Sequence, residues 1–205
     1  LINGLNYESN CGQIIFNDSS PLNSVIEKLP SKSFKPYNSI HTSLIIEAIK
    51  TALSINHYRA SEIGIIVPFT GAAEYIRDQL KKNELKNIEV GTVHTFQGRE
   101  KPVIIFDTVM AGVNYTVKPF DELRVGEDQV RRLLNVALSR AKRDIIIIAD
   151  MNHFRSYYQG KIVYELLQRL NSKSNIIDIS SGVSNFDEMS EEEKNKLLGL
   201  EGEKI

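Results

Sequence analysis

The chain has 205 residues, of which 41% are hydrophobic and 25% charged, values typical of one large globular domain or two small ones. No apolar run approaches the roughly 20 residues that a membrane-spanning helix requires, and the amino terminus lacks the basic and then apolar order of a secretory signal. The single cysteine, Cys11, excludes an internal disulfide framework and favours a cytoplasmic location.

Charge is distributed unevenly along the chain. From Asn185 onward, seven acids and three lysines give a net charge of -4, so the preceding residues carry about +3 of the total of -1. This mild positive excess permits a nucleic-acid partner but does not require one. We therefore predict a folded domain over 1–183 and an acidic C-terminal tail over 184–205.

Apolar runs and helical periodicity alternate along the chain, and this predicts a parallel sheet covered by helices on both faces. The apolar runs predict strands over 13–18, 63–68, 88–93, 102–109, 143–150 and 175–180. Helical spacing of apolar residues predicts helices over 39–56, 71–82, 128–141 and 158–170. Residues 110–127 hold Gly, Asn and Pro and are predicted to be an insertion or long loop. Since ligands of parallel sheets bind outside the carboxyl ends of the strands, we expect the functional loops there.

The helix predicted over 128–141 carries a polar stripe on the side away from its apolar face. At about 100° per residue, this stripe holds Arg132, Asn135, Ser139 and Arg143. Arg140 lies beside the stripe, near the carboxyl end. The stripe could be a solvated basic face whose arginines complement the helix dipole. Alternatively, the helix could hold a guanidinium rigidly against phosphate oxygens, as an arginine finger does.

The connection HTFQGRE, residues 94–100, is unusually polar for a link between two strands. Gly98 could simply supply a positive-φ turn, with His94 and Gln97 as solvated neighbours. In a functional interpretation, Gly98 would let a phosphate approach the backbone, and Glu100 would accept hydrogen bonds from a sugar hydroxyl. Thr92 and His94 would then offer donors to a nucleic-acid phosphate.

Three ordered segments carry a family resemblance: IGIIVPFTGAAEYI, VGTVHTFQGREKPVIIFD and RRLLNVALSRAKRDIIIIAD. They resemble motifs IV, V and VI of superfamily 1 helicases, in the branch that includes the nonsense-mediated-decay helicase. The match covers about 63–150, and its specific cores are QGRE and NVALSRAK. The resemblance implies a RecA-like fold, with three α/β/α layers and a mostly parallel central sheet. It also implies that the chain is the second, C-terminal RecA-like half of such a helicase.

The resemblance implies a nucleotide site with ATP and Mg²⁺ as cofactors. Arg140 would be the catalytic arginine finger that contacts the γ-phosphate of ATP. Gln97, Gly98 and Glu100 would also bind the nucleotide. An N-terminal RecA-like domain, the implied partner of this half, would hold most of the Mg²⁺ ligands. The chain itself shows no Cys or His cluster spaced for a metal site.

The resemblance also implies a track for single-stranded nucleic acid, with DNA favoured over RNA. Thr92 and His94 would lie on the strand side. The turn formed by Pro68 and Phe69 would lie there too. Arg132 would couple the track to the nucleotide site.

The sequence departs from the family pattern at two places. The glutamine expected shortly after Pro68 is replaced by Ala72 or Ala73. No second γ-phosphate arginine precedes the first long helix, where Lys35 could substitute and Tyr37 could stack on adenine. These departures leave room for weakened hydrolysis.

Larger parts of a complete helicase motor are missing from the chain. It has no GxxxxGK[ST] loop, no evident Asp-Glu pair for Mg²⁺, and no initiator Met. We therefore predict a fragment of an ATP-dependent helicase or translocase that is inactive as an ATPase without an upstream Walker-loop domain. The alternative is a catalytically degenerate helicase-like module that docks nucleic acid or protein.

Overall fold

Five parallel strands form the centre of the structure, a computed structural model that describes residues 12–30, 33–174 and 190–198. The strands in chain order are β1 (Gln13–Asp18), β2 (Glu27–Lys28), β3 (Pro36–Tyr37), β4 (Ile63–Val67), β5 (Glu89–Thr92), β6 (Lys101–Asp107) and β7 (Ala141–Ala149). The helices are α1 (Ser39–Ser54), α2 (Thr70–Lys82), α3 (Glu122–Val125), α4 (Glu127–Leu138), α5 (Met151–Tyr158), α6 (Ile162–Lys173) and α7 (Glu191–Leu198). The central sheet has the order β1-β7-β6-β4-β5, and β2 pairs with β3 in a separate antiparallel ribbon.

The strand order puts helices on both faces of the central sheet. The chain crosses the sheet in one direction from β4 to β5 and in the other from β6 to β7, so right-handed crossovers place α2 and α4 on opposite faces. α1 packs with α2, and α6 packs with α4, which completes two helical layers. The predicted RecA-like α/β/α fold with a parallel central sheet is confirmed.

The central strands are apolar on both sides because both faces of the sheet are covered. Every residue of β4 is buried, and β7 is buried without interruption from Asp144 to its end. Each fully buried Ile side chain contributes about 1.5–3 kcal/mol, so the run of four isoleucines in β7 is a major part of the core. Asp144 is tolerated there because its carboxylate accepts hydrogen bonds from the Tyr58 hydroxyl and from the Gln13 N–H. None of the described helices is long and apolar enough to cross a lipid bilayer.

Most of the predicted elements are confirmed. The strands predicted over 13–18, 63–68, 88–93, 102–109 and 143–150 all occur, with bounds that shift by at most two residues. The helices predicted over 39–56 and 71–82 occur as α1 and α2. The strand predicted over 175–180 lies outside the described residues. Of the tail predicted over 184–205, only 190–198 is described, and it contains α7.

Two predictions of helix bounds are wrong. The helix predicted over 128–141 ends at Leu138, so Arg140 lies in a turn and Arg143 belongs to β7. The helix predicted over 158–170 begins only at Ile162, as α6, and it is preceded by an unpredicted helix, α5; the two are separated at Gly160, which has a φ of 74°. α5 begins at Met151 and is capped by Asp150, whose carboxylate accepts a hydrogen bond from the His153 N–H at 2.9 Å.

Residues 110–127 form a packed segment rather than the loose loop that their composition predicts. They contain a short 3₁₀ turn, Lys118–Phe120, and α3. Phe120 is fully buried and packs edge-on against Phe154, with ring centroids 5.6 Å apart. The Val117 N–H donates to the Tyr158 hydroxyl at 2.8 Å. The segment is therefore fixed to α5 by both apolar and polar contacts.

Candidate nucleic-acid and nucleotide interfaces

The strand ends define two edges of the central sheet. β4 and β5 end together, since Val67 pairs with Thr92, and we call this side the carboxyl edge. β6 and β7 begin together, since Lys101 pairs with Ala141, and we call this side the amino edge. Loop 94–100 leaves β5 at the carboxyl edge and enters β6 at the amino edge. The expectation that all functional loops lie at the carboxyl ends is therefore wrong for the second half of this loop.

Phe96 anchors loop 94–100 to the core and is only 1% exposed. The loop turns back at once, because the N–H groups of Thr95 and Phe96 both donate to the Thr92 carbonyl, at 3.0 and 3.1 Å. Glycine is required at position 91, since a Cβ there would collide with the side chains of Thr95 and Phe96. One buried ring thus holds the loop and leaves its polar side chains in solvent.

Two of the predicted nucleotide-binding residues, Glu100 and Arg140, lie at the amino edge, and Gly98 precedes Glu100 in the loop. Gly98 has a φ of 81°, and a Cβ added there would meet no atom within 4 Å, so its backbone is open to a close approach. Glu100 forms an exposed ion pair with Lys142 at 3.5 Å. The Lys101 N–H donates to the Arg140 carbonyl at 3.0 Å, which sets Arg140 beside the start of β6.

The Arg140 side chain is half-buried and bonded to the end of its own helix. Its Nε donates to the Val136 carbonyl at 3.2 Å, and its Nη2 donates to the Ser139 hydroxyl at 2.9 Å. Both acceptors lie at the close of α4, so the guanidinium is folded back over the helix end. Its remaining N–H groups keep the capacity to donate to an anion.

A cavity of about 670 Å³ opens at the carboxyl edge, and we call it the cleft. Residues singled out in the sequence line it: Pro68, Thr92, His94, Gln97 and Arg132. Three of the predicted track residues are therefore brought together with the predicted coupling arginine. Phe69 does not line the cleft, because it is nearly buried and packs edge-on against Phe34 with ring centroids 6.2 Å apart.

The cleft is positively charged. Lys118, Arg124 and Arg132 line it, and none of the described residues that line it is acidic. Lys118 and Arg132 have no ion pair with any described residue, whereas the Arg124 Nε lies 3.1 Å from the Asp121 carboxylate. On a chain with a net charge of -1, such a local excess of cations favours an anionic ligand. Sequence reasoning missed Lys118 and Arg124, whose only signal was the two positive charges within 110–127.

Lys35 and Tyr37 are already engaged with the chain itself. The Lys35 ammonium contacts the Glu74 carboxylate at 2.7 Å. The Tyr37 ring stacks on Tyr75 with centroids 4.0 Å apart. The Tyr37 hydroxyl donates to Glu27 at 3.0 Å, and this hydrogen bond raises the pKa of Tyr37. In this conformation neither residue supplies the missing phosphate contact or an adenine platform.

Comparisons with known proteins agree with the family resemblance. A family model described as an AAA domain matches residues 6–152, more than half of the chain. The chain is 33% identical over 124 residues to the DNA replication ATP-dependent helicase/nuclease DNA2 of Bos taurus, covering 60% of this chain and 11% of that protein. It is 33% identical over 130 residues to Regulator of nonsense transcripts 1 of Dictyostelium discoideum, covering 60% of this chain and 9% of that protein.

A solved structure with a similar outline is the C-terminal domain of a possible DNA helicase from Lactobacillus plantarum WCFS1. It shares 11% sequence identity with a TM-score of 0.42, over 71% of this chain and 78% of that one. The chain spans less than a fifth of the length of the curated relatives it matches. The family match establishes that the chain belongs to the AAA domain family, and the named helicase relatives support a domain of the superfamily 1 helicase type.

Proposed function

We propose that the chain is the C-terminal motor half of an ATP-dependent helicase or translocase. In this role it supplies an arginine finger to the nucleotide and part of the track for a single strand. The division of the motif residues between two edges is the observation that supports it best. Pro68, Thr92 and His94 share a cationic cleft at the carboxyl edge, whereas Arg140 lies at the amino edge.

A single strand of nucleic acid is the proposed ligand of the cleft. Cations there attract phosphates, Thr92 and His94 offer hydrogen-bond donors, and Pro68 offers apolar surface to a base or sugar. Such contacts address the backbone, so binding should be sensitive to salt and tolerant of sequence. We propose DNA ahead of RNA because one relative is named for DNA replication, and RNA is the second strand to test because another is named for transcripts.

The amino edge fits a nucleotide in three respects. Gly98 offers an open backbone, Glu100 a carboxylate for a sugar hydroxyl, and Arg140 a guanidinium for a phosphate. Bound ATP supplies the phosphoryl group that is transferred. Arg140 would stabilise the negative charge on that group after exchanging its two bonds at the end of α4 for phosphate oxygens.

Mg²⁺ fits this chain less well than the nucleotide does. The described residues contain no group of three His, Cys, Asp or Glu side chains that could hold a metal ion. We therefore assign most of the Mg²⁺ ligands to an N-terminal RecA-like domain with a Walker loop. Without that domain the chain should not hydrolyse ATP.

Loop 94–100 is the proposed link between the two sites. The Gln97 side chain of this loop lines the cleft together with Arg132. The next residue, Gly98, begins the half of the loop that we propose to bind the nucleotide. A movement of the loop about the buried Phe96 ring would therefore displace residues at both edges.

The test is hydrolysis of ATP by the full-length protein that contains this chain, with single-stranded DNA and RNA added separately. Arg140→Ala should lower stimulated hydrolysis by about 10³-fold or more, the scale of an arginine finger, while nucleotide and strand affinities stay close to those of the wild type. Arg155→Ala is the matched control, since Arg155 is exposed on α5 and lines neither site. Equal rates for the wild type and Arg140→Ala would remove the arginine-finger assignment.

A docking module that has lost catalysis is the second candidate. It is favoured by the internal bonds of Arg140 and by the engagement of Lys35 with Glu74, which occupy both side chains considered as phosphate donors. This candidate predicts strand binding without stimulated hydrolysis in the full-length protein. The same assay therefore separates the two candidates.

A further inference from the structure

We propose that residues 113–125, which we call the wall segment, form part of the single-strand track, and that Lys118 and Arg124 contact phosphates of the strand. This inference rests on the proposed function of the cleft and extends it to residues outside the helicase motifs. It also assigns a role to the part of the chain that sequence composition interprets as an insertion.

The wall segment contributes surface as well as charge to the cleft. Its lining residues are Lys118, Pro119, Arg124 and Val125. They share the cavity with Pro68, Thr92 and His94. A strand that contacts the motif residues therefore passes within reach of the wall segment.

Lys118 and Arg124 of the wall segment make no strong interactions within the fold. Lys118 is exposed, and its side chain has no ion pair or hydrogen bond with any described residue. Arg124 is 58% exposed in its side chain, and its one ion pair with a described residue is with Asp121, three residues earlier, a local contact that contributes little stability. Because no described acid lines the cleft, the attraction of a phosphate to these two residues and to Arg132 is offset only by acids outside the lining, such as Asp121, which pairs with Arg124.

The wall segment is rigid enough to position its cations. Its centre is held by Phe120, which is fully buried against Phe154 and Tyr158. The Ile162 N–H at the start of α6 donates to the Glu122 carboxylate at 2.6 Å. A preorganised backbone of this kind lowers the entropy lost when a ligand binds.

Asp121 sets the orientation of Arg124. One of its carboxylate oxygens accepts the Leu123 N–H at 3.1 Å, and the other accepts the Thr116 hydroxyl at 2.7 Å. That second oxygen also pairs with Arg124 at 3.1 Å. The Arg124 pair uses Nε and leaves the terminal N–H groups of the guanidinium for a phosphate.

The location favours a strand over a free nucleotide. Of the four residues predicted to bind ATP, Gly98, Glu100 and Arg140 do not line the cleft, whereas Gln97 does. Three cations spread along one cavity match the regular repeat of phosphates on a backbone better than a single triphosphate.

The experiment measures the affinity of the 205-residue chain for fluorescent oligothymidylate and oligouridylate of about 20 nucleotides, longer than typical site sizes of about 4–16. Salt is varied from about 50 to 200 mM. Each phosphate contact on a single strand adds about 0.7 to the slope of log affinity against log salt. The Lys118→Gln/Arg124→Gln variant should therefore have a slope shallower by about 1.4, so that the wild type loses about sevenfold more affinity over this range.

The matched control is Lys82→Gln/Arg155→Gln, which removes the same two charges from exposed positions on α2 and α5. Its slope should stay within about 0.3 of the wild-type value if the effect comes from contacts rather than from net charge. Thermal unfolding of both variants checks that the fold is retained. A 5-iododeoxyuridine strand should photo-crosslink to peptides from the wall segment in the wild type.

Failure of this inference differs from failure of the proposed function. If the wild type binds a strand and His94→Ala weakens binding, but the wall variant matches its control, the wall segment lies outside the track. If the wild type binds neither strand at low salt, the cleft is not a track and both proposals fail. If the wall variant loses affinity for ATP instead of for a strand, the cleft is a nucleotide site and both are overturned.

Discussion

Arg140 illustrates how magnitudes decide the role of a single side chain. Its two hydrogen bonds to Val136 and Ser139 hold the guanidinium on the end of α4. Each such bond contributes about 1 kcal/mol net, and water or a ligand can replace both. A rate effect of about 10³–10⁵ for an arginine finger corresponds to about 4–7 kcal/mol. The observed conformation is therefore compatible with the proposed role, because the stabilisation of the transition state exceeds the free energy of the two hydrogen bonds that are lost.

A buried chain of Ser19, His41 and Asp107 has the connectivity of a hydrolytic triad but is a structural feature. His41 lies 2.7 Å from the Ser19 hydroxyl through Nε2 and 2.7 Å from the Asp107 carboxylate through Nδ1. All three side chains are at most 1% exposed, so no substrate reaches the hydroxyl. These hydrogen bonds instead connect the ends of β1 and β6 to the first turn of α1.

Removal of Asp107 tests this structural assignment. Asp107→Ala leaves the His41 Nδ1 and the Val109 N–H without an acceptor in a buried site, and we expect a loss of about 3 kcal/mol in the free energy of unfolding. Urea unfolding of the 205-residue chain measures it. Asp78→Ala, an exposed change on α2, should stay within about 0.5 kcal/mol of the wild type. A similar, small effect for both variants would mean that the buried chain contributes little.

His153 should make stability depend on pH. It is 4% exposed, and neither ring nitrogen has a hydrogen-bond partner among the described residues. Burial lowers the pKa of His153, against the opposing effect of the nearby Asp150 carboxylate. Since the folded pKa lies below the unfolded one, the unfolded chain binds more protons below about pH 6.5, and stability falls as the pH falls.

Comparison with His153→Leu isolates this effect. Between about pH 7.5 and pH 5, the free energy of unfolding of the wild type should fall relative to that of the variant, by up to about 1.4 kcal/mol per pH unit below about pH 6.5. Urea unfolding at several pH values gives both curves, and the carboxylates common to both proteins cancel in the difference. A difference that stays constant with pH would show that His153 titrates alike in both states.

At the scale of the elements, the sequence predicts what local pattern determines. The buried strands are continuous apolar runs, and α1 and α2 have apolar faces at helical spacing, so each was predictable. α5 was missed because its buried residues are mixed with polar ones in only eight positions. Its signals were Asp150 as the N-cap and Gly160 just beyond its end.

The wall segment was mispredicted because its order comes from tertiary contacts. Gly112, Asn114 and Pro119 are typical of loops, and no local pattern shows that Phe120 packs on α5. The cleft could therefore be predicted only in part. Motif residues indicated Thr92 and His94, whereas the contribution of Lys118 depends on a fold that brings distant segments together.

At the scale of the whole molecule, the two proposed sites extend from opposite edges of the sheet and approach each other along α4, where Val136 lines the cleft and its carbonyl accepts a hydrogen bond from Arg140. β6 has seven residues, so at about 3.3 Å per residue the carboxyl and amino edges lie roughly 20 Å apart. This exceeds the Debye length of about 8 Å at physiological salt, so exposed charges at the two edges interact only weakly. Coupling of strand binding to hydrolysis therefore needs a mechanical link, and loop 94–100 and α4 both run between the edges.

Gln97 offers a test of that link because its side chain is exposed and lines the cleft within this loop. In the full-length protein, we expect Gln97→Ala to keep strand affinity within about threefold and to keep basal hydrolysis, since it removes no charge and no buried group. Stimulation of hydrolysis by the strand should fall by about 10-fold or more, the effect of a coupling free energy of about 1–3 kcal/mol.

Gln129→Ala is the matched control for this variant. Gln129 is also an exposed glutamine that lines the cleft, but it belongs to α4 and not to the loop. Both variants should bind a strand alike in an anisotropy titration, and only Gln97→Ala should lose stimulation in the ATP hydrolysis assay. If both variants lose stimulation equally, coupling depends on strand contacts in general. If both keep stimulation, the link is not the loop but α4, which reaches from the cleft to Arg140.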